Sequence, residues 1–232
     1  FKLAYVNPGC QFPTMVVMPD DRRLRLIEKA RAANALVIED DYEIGLVGHV
    51  KLTPALKSLD EDGTVVYVGS LSKILSPSIR MGFIVAHRDI IKSAKVVRSL
   101  TVRHPPSIVQ ETTAMFLAHG YHDAHIKNLR EIYSQRWHIM RAGLKHHLPM
   151  FSPGDATGGT SFWLTGPKNF DAEVFAKKLL QRDVLIEPGH IFYHGGLPKN
   201  SFRIGFPSVA GSKINAGLHQ IGEEAKSYLN QL

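Results

Sequence analysis

The chain has 232 residues, of which 44% are apolar, and this content is sufficient for a globular protein with a sizeable core. No stretch approaches the roughly eighteen consecutive apolar residues of a membrane span, and the N-terminal sequence lacks the order of a signal peptide, so we expect a cytoplasmic protein without a membrane segment. A single cysteine, Cys10, excludes an internal disulfide, and the net charge of +7 permits an anionic partner such as nucleic acid.

The first part of the chain alternates strand and helix patterns. A strand in KLAYV and the turn-rich NPGCQFPT precede an amphipathic helix that starts at Asp20 or Asp21, where acidic residues suit a helix N-terminus. The run ALVIEDDY is typical of a buried parallel strand with a functional end. The strands TVVYVGS and GFIVA then flank a polar loop. The alternation predicts an α/β domain, and we expect four parallel strands within about ninety residues.

After His87 the pattern becomes helical. Helices are predicted in RDIIKSAKVVRSL and SIVQETTAMFLAHG, with a break at the two prolines between them, and a long helix from about Tyr121 to His147. Strands in GGTSFWLTG, VLIEPG and SFRIGF then alternate with helices in DAEVFAKKLLQR and KINAGLHQIGEEAKSYLNQL. The sequence therefore predicts two domains: residues 1–119, a large-domain part, and residues 120–232, a linking helix with a smaller domain.

The polar loop GSLSKILSPSIR follows a predicted strand, at the edge where open α/β sheets bind ligands. Its lysine, Lys73, is an amine that acts as a nucleophile when it is deprotonated. The hydroxyls of Ser70 and Ser72 and the forked cation of Arg80 suit a phosphate. The loop therefore has the groups for one phosphate and one imine.

Two further polar residues end the preceding strand. Asp40 is an aspartate suited to a protonated pyridine nitrogen, and Tyr42 is a tyrosine suited to donate to a phenolate oxygen. Both belong to the run VIEDDYE. These residues and the polar loop predict one site at the same edge of the sheet.

The sequence SLSKILSPSIRMGF resembles the pyridoxal 5'-phosphate (PLP) lysine signature of fold-type I aminotransferases: Ser-x-x-Lys, an arginine seven residues on, and then a glycine. With NPGCQFPT, VIEDDYE and HIKNLREIYSQRW, the chain is most similar to the MocR/GabR family of GntR-type bacterial transcription regulators, over nearly all 232 residues. Members of that family resemble a winged-helix DNA-binding domain joined to an aminotransferase-like domain that binds PLP and senses an amine or amino-acid effector. The resemblance implies a fold-type I PLP-dependent α/β fold: the later half of the large domain, with a mostly parallel sheet, and a small α+β C-terminal domain.

The resemblance also implies roles for individual residues. Lys73 would form an imine with the cofactor and exchange it for one with the effector, and Arg203, in SFRIGF, would receive an effector carboxylate. The remaining cofactor-binding residues would be Asp40 at the pyridine nitrogen, Tyr42 at the phenolic oxygen, and Ser70, Ser72 and Arg80 around the phosphate. A homodimer is implied, as is DNA contact through an N-terminal winged-helix domain that this chain lacks.

Two residues depart from the aminotransferase pattern. Phe12 stands where aminotransferases have an asparagine that touches the cofactor, and Met15 stands where they have a glycine. The regulator family typically has an aromatic residue at the first position, so Phe12 favours a regulator over an enzyme.

Three alternatives stay open. One is a true aminotransferase of the same fold, in which Lys73 also moves a proton. Another is a module that contacts DNA through its basic surface, although the basic residues are spaced as on solvated helix faces. The last concerns Arg203 alone, which could pair with a structural carboxylate in its strand.

The histidine clusters HHL and YHDAH lack a ligand set at metal spacing, so no metal site is predicted.

Overall fold

The computed structural model describes residues 1–43, 46, 53–156, 158–195 and 198–231. The chain divides into two compact units, which are called here the first unit, Phe1–Gln11 with Val17–Arg130, and the second unit, Phe12–Val16 with Glu131–Leu232. The predicted domain boundary after residue 119 stays a prediction. In the described part of the chain, no helix is both long enough and apolar enough to cross a membrane.

The first unit contains a four-stranded sheet in the order β1-β2-β3-β4. Strands β1 (Leu3–Val6), β2 (Leu36–Asp41) and β3 (Val65–Ser70) are parallel, as the sequence predicts. Strand β4 (Gly82–Val85) pairs with β3 in the antiparallel direction, so the expectation of four parallel strands is wrong.

The direction of β4 follows from the short connection before it. A parallel neighbour needs a crossover of a dozen or more residues, usually a helix. The loop after β3 contains no helix longer than the 3-10 turn Pro77–Ile79, and it closes with a hydrogen bond from Leu71 N to Met81 O at 3.0 Å. At Gly82 a Cβ would lie 2.6 Å from the carbonyl oxygen of Gly69, so the close approach of β3 and β4 requires glycine.

Four helices follow the predicted patterns. They are α1 (Asp20–Ala32), α2 (Arg88–Thr101), α3 (Ser107–Ala118) and α4 (Tyr121–His147). Helix α1 packs on one face of the sheet, where the first unit's core consists of Ile27, Ala30, Val37, Leu56 and Val65. The opposite face of the sheet is therefore the one available for a site.

The second unit has an antiparallel sheet in the order β5-β6-β8-β7. Its strands are β5 (Ser152–Pro153), β6 (Ser161–Thr165), β7 (Glu187–Pro188) and β8 (Ser201–Gly205), and its helices after α4 are α5 (Ala172–Leu180) and α6 (Gly211–Leu229). Asp171 caps α5 by accepting from Glu173 N and Val174 N. The core is rich in aromatic residues, among them Phe151, Phe162, Phe170, Phe175, Phe202 and Phe206.

Candidate functional site

The carboxyl edge of the parallel strands collects most of the predicted site residues. Asp40 in β2 lies opposite Val68 in β3, and Ser70 ends β3 two residues later. Because side chains alternate along a strand, Asp40 and Ser70 lie on the same face of the sheet. Ser70 is also paired with Gly82, the first residue of β4, so Arg80 lies at this edge as well.

The loop that carries Lys73 has a defined backbone. Leu75 N donates to Leu71 O at 2.9 Å, which makes a turn with Lys73 at its centre. His125 of α4 donates from Nε2 to the carbonyl oxygen of Ile74 at 2.9 Å. The backbone that follows Lys73 is therefore held by the N-terminal part of α4, which belongs to the same unit.

The amine of Lys73 lies among groups of the site. Its Nζ is 2.6 Å from Oε1 of Glu43 and 4.4 Å from the ring centroid of Tyr42. The Lys73 side chain is 36% exposed, and that of Glu43 is 1% exposed. Tyr42 and Lys73, predicted as partners at one site, thus contact each other, and Asp40 is two residues from Tyr42 in the sequence.

Glu43 was missed by the sequence analysis. Its only signal is its place in the run EDDYE, directly after Tyr42. Acidic residues at the end of a strand are usually solvated, and nothing in the sequence distinguishes this one from its neighbours.

The carboxylate of Asp40 is held by the first strand. Tyr5 donates from its hydroxyl to Oδ2 of Asp40, and Asn7 donates from Nδ2 to the Asp40 carbonyl oxygen at 3.0 Å. The hydrogen bond to Asp40, together with burial and the carboxylate charge, raises the pKa of Tyr5 to about 12. Tyr42 donates from its hydroxyl to Cys10 O at 3.3 Å.

The two acidic neighbours of Asp40 in β2 form hydrogen bonds away from the predicted site. Glu39 is buried and accepts hydrogen bonds from Leu56 N at 2.8 Å and Lys57 N at 2.9 Å, so it caps the 3-10 helix Leu56–Leu59. Asp41 accepts from the Tyr67 hydroxyl at 2.9 Å, and burial raises the pKa of Asp41. Both belong to the sheet face opposite to Asp40.

Arg203 lies in the second unit, in the middle of β8. Its Nη1 donates to Oε2 of Glu187 in β7 at 2.7 Å, and its guanidinium carbon is 4.9 Å from the ring centroid of Phe12. The side chain of Arg203 is 13% exposed. The structure therefore contains the structural carboxylate that the sequence analysis left open for Arg203, and it adds the aromatic contact with Phe12.

The turn around Phe12 has an unusual backbone. The Phe12–Pro13 peptide bond is cis, and Met15, at the position of an aminotransferase glycine, has a φ of 61°. This φ lies in the left-handed region that glycine adopts most readily. Met15 thus keeps a glycine-like backbone with a fully buried side chain.

The described residues contain no group of three or more His, Cys, Asp or Glu side chains that could hold a metal ion. His146 and His147, at the end of α4, contact each other through their rings, and His147 also contacts the ring of His219.

Comparisons with known proteins show similarity to transcription regulators and to aminotransferases. The HTH-type transcriptional regulator TauR of Rhodobacter capsulatus is 34% identical over 95% of this chain and 46% of the relative. The protein named "Probable rhizopine catabolism regulatory protein MocR" of Rhizobium meliloti is 34% identical over 63% of this chain and 30% of the relative. Aromatic-amino-acid aminotransferase 1 of Thermococcus litoralis is 29% identical over 99% of this chain and 55% of the relative.

The same fold occurs in a solved structure. Kynurenine aminotransferase of Pyrococcus horikoshii, crystallised in complex with PMP, superposes with a TM-score of 0.92 at 30% identity and covers 98% of this chain and 57% of the enzyme. The chain spans about half the length of the curated relatives that it matches along nearly its whole length. Residues 7–221 match the family model "Aminotransferase class I and II". The chain therefore belongs to the aminotransferase class I and II family, with the α/β fold of fold-type I aminotransferases.

Proposed function

We propose that this chain is the PLP-binding, effector-sensing domain of a MocR-type transcription regulator. The similarity to TauR over nearly the whole chain and to MocR over a shorter stretch supports the regulator. One observation carries the cofactor proposal: the Lys73 amine lies 4.4 Å from the ring of Tyr42, at the sheet edge that carries Asp40 and Ser70.

The chemistry of the side chains at this edge fits PLP. When bound, the cofactor supplies an aldehyde that condenses with primary amines. Asp40 is proposed to bind the pyridine nitrogen and Tyr42 the phenolic oxygen. Ser70, Ser72 and Arg80 are proposed to donate to the phosphate, since two hydroxyls and a guanidinium offer several donors to an anion. Lys73 would supply the primary amine that holds the aldehyde carbon in the absence of an effector amine.

Glu43 would be the partner of the Lys73 amine when an effector takes the place of that amine on the cofactor. The two groups form an ion pair at 2.6 Å, and the carboxylate is almost completely buried. An ammonium group on Lys73 is stabilised by this carboxylate. The pair would therefore stabilise Lys73 whenever its amine is not bonded to the cofactor.

Arg203 is proposed to receive an effector carboxylate, because a guanidinium binds a carboxylate with two parallel hydrogen bonds. Effector binding would then shift the equilibrium between two arrangements of the protein by the difference in effector affinity for them. The partners in this proposal are an amine or amino acid, a second copy of the protein as in a homodimer, and DNA bound by an N-terminal winged-helix domain. The proposed location is the cytoplasm.

An absorption spectrum tests the cofactor proposal. Full-length protein purified with PLP should show the band of a protonated imine, and borohydride should reduce it to a stable secondary amine at Lys73. The variant Lys73→Ala should lack the reducible band. Lys92→Ala, a matched change on an exposed face of α2, should keep it. A reducible band of equal intensity in Lys73→Ala would refute the assignment.

The second candidate function is catalysis of transamination, which the Thermococcus litoralis relative favours. In that case Lys73 would move a proton between the substrate carbon and the cofactor. Incubation of the full-length protein with amino donors and keto acids distinguishes catalysis of transamination from effector sensing. Sustained multiple turnover would favour the enzyme, whereas a spectral change that stops after one equivalent favours the sensor.

A further inference from the structure

Arg203 and Glu187 form an ion pair across two neighbouring strands, and the pair leaves donors unused. The two residues are directly opposite in the register of β7 and β8, with the hydrogen bond from Arg203 Nη1 to Glu187 Oε2 at 2.7 Å. The Nε of Arg203 is buried and has no hydrogen-bond partner in the described part of the chain. A guanidinium has five N–H donors, and among the residues that the structure describes Arg203 donates only from Nη1 to a carboxylate.

The two partners differ in how firmly they are held. The Arg203 side chain is 13% exposed and lies against the ring of Phe12, whereas the Glu187 side chain is 52% exposed. Glu187 belongs to a two-residue strand at the edge of the sheet. An exposed carboxylate exchanges its partner for water at little cost, while a guanidinium packed on an aromatic ring stays in place. Glu187 is therefore the partner that can leave.

The hydrogen bond to Glu187 is weaker than the guanidinium of Arg203 allows, because it uses one donor and not two. Arginine and carboxylate pairs are strongest when two parallel hydrogen bonds form, and a buried donor without an acceptor is unfavourable. Nε is buried, so a carboxylate that arrives from solvent meets the end of the guanidinium, where two parallel hydrogen bonds use Nη1 and Nη2, and Nη1 is the donor that Glu187 now occupies. Glu187 and such a ligand therefore compete for the same donor.

We propose that Glu187 is an internal competitor for carboxylate ligands at Arg203, and thereby a residue that sets effector specificity. This inference rests on the proposed function, in which Arg203 receives the effector carboxylate. Only the fraction of molecules in which Glu187 has left Arg203 binds a carboxylate, and the apparent dissociation constant rises by the inverse of that fraction. An amine without a carboxylate escapes this effect. The ion pair thus weakens the binding of amino acids relative to plain amines.

The first test uses sodium propionate, a carboxylate that has no amine and cannot react with the cofactor. Ligand-observed NMR titrations of the full-length protein should give a dissociation constant about three to ten times lower for Glu187→Gln than for the wild type. Arg203→Gln should abolish saturable binding in both backgrounds. Unchanged or weaker binding in Glu187→Gln would overturn the proposal, as would the absence of saturable binding in both the wild type and Glu187→Gln.

A matched control removes an exposed glutamate elsewhere in the same unit. Glu223 pairs with Lys226 on α6 at 2.9 Å, and its side chain is 51% exposed. Glu223→Gln changes the net charge by the same amount as Glu187→Gln and should leave propionate binding unchanged. An equal gain in both variants would mean that overall charge, and not competition at Arg203, sets the affinity, and it would refute the proposal.

The second test compares L-alanine with ethylamine, the same molecule without its carboxylate, by absorbance of the PLP-loaded full-length protein. Glu187→Gln should lower the apparent dissociation constant of L-alanine by the factor found for propionate. It should change the apparent dissociation constant of ethylamine by less than about twofold. An equal change for both ligands would overturn the specificity role. Failure of the proposed function looks different: neither amine would change the spectrum of the wild type, whereas the propionate titration does not depend on the cofactor.

Discussion

At the scale of single residues, the hydrogen bond between Tyr5 and Asp40 makes a prediction for phenol titration. The pKa of Tyr5 is raised from its usual value of about 10 to about 12, chiefly because the neutral phenol donates to the Asp40 carboxylate. The folded protein therefore holds this proton more tightly than the unfolded chain does. The resulting stabilisation is complete below about pH 10 and is lost as the pH rises towards 12. In Asp40→Asn we expect the same phenol to titrate closer to pH 10.

The measurement is the phenolate absorbance as a function of pH, with Tyr5→Phe as the blank that isolates Tyr5. The pKa of Tyr67 is also raised, by burial and by Asp41, so Asp41→Asn is the matched control. This control should change the titration of Tyr67 and leave that of Tyr5 in place. If Tyr5 titrates near 10 in the wild type, the hydrogen bond to Asp40 is absent in solution.

Sequence reasoning reached some of these residues and not others, for a physical reason. The positions of Asp40, Lys73 and Arg80 follow from strand ends, which a run of apolar residues marks. The partners Tyr5, Glu43 and Glu187 depend on the register between strands and on side-chain rotamers. Neither is encoded by the local pattern around each residue, so these pairs become visible only in the folded chain.

At the scale of elements, helix α1 is joined to two loops by a buried arginine. Arg23 donates to the carbonyl oxygens of Met18 at 2.8 Å, Pro54 at 2.7 Å and Pro8 at 2.5 Å, and it is 1% exposed. Proline nitrogens cannot donate, and turns rich in proline leave carbonyl groups in need of partners. One guanidinium supplies donors to all three carbonyls.

Arg23→Met should therefore lower the free energy of unfolding by about 2–4 kcal/mol, because it leaves buried carbonyl groups without donors. Urea unfolding followed by far-UV circular dichroism measures the change. Arg25→Met, on an exposed position of the same helix, should stay within about 0.5 kcal/mol of the wild type. Equal effects of the two substitutions would show that the three hydrogen bonds contribute little.

Elements were predictable where one local signal dominates. The long helix α4 has the predicted bounds, Tyr121–His147, since its apolar period is sustained and Pro149 follows it. The direction of β4 was not predictable from its apolar run, which fits either orientation. It is decided by the length and geometry of the connection from β3, which the strand pattern does not contain.

At the scale of the whole molecule, each unit has a core of its own. The buried cluster of the first unit contains Val37 and Val65, and that of the second contains Phe175 and Phe202. Elements that do not share a core can open with different free energies. We expect the stability of the two units to respond separately to core substitutions.

Hydrogen exchange followed by mass spectrometry of the full-length protein measures this response, because peptides report the opening of each sheet separately. Phe175→Leu, which shrinks a fully buried ring, should cost about 1–2 kcal/mol and speed exchange in peptides from β6 and β8. Peptides from β2 and β3 should keep their wild-type rates. Val65→Ala should give the reverse pattern at a similar cost, and each variant is thus the control for the other. If either substitution accelerated exchange equally in both sheets, the two units would unfold as one cooperative body, and effector binding in one unit would then stabilise the other to the same extent.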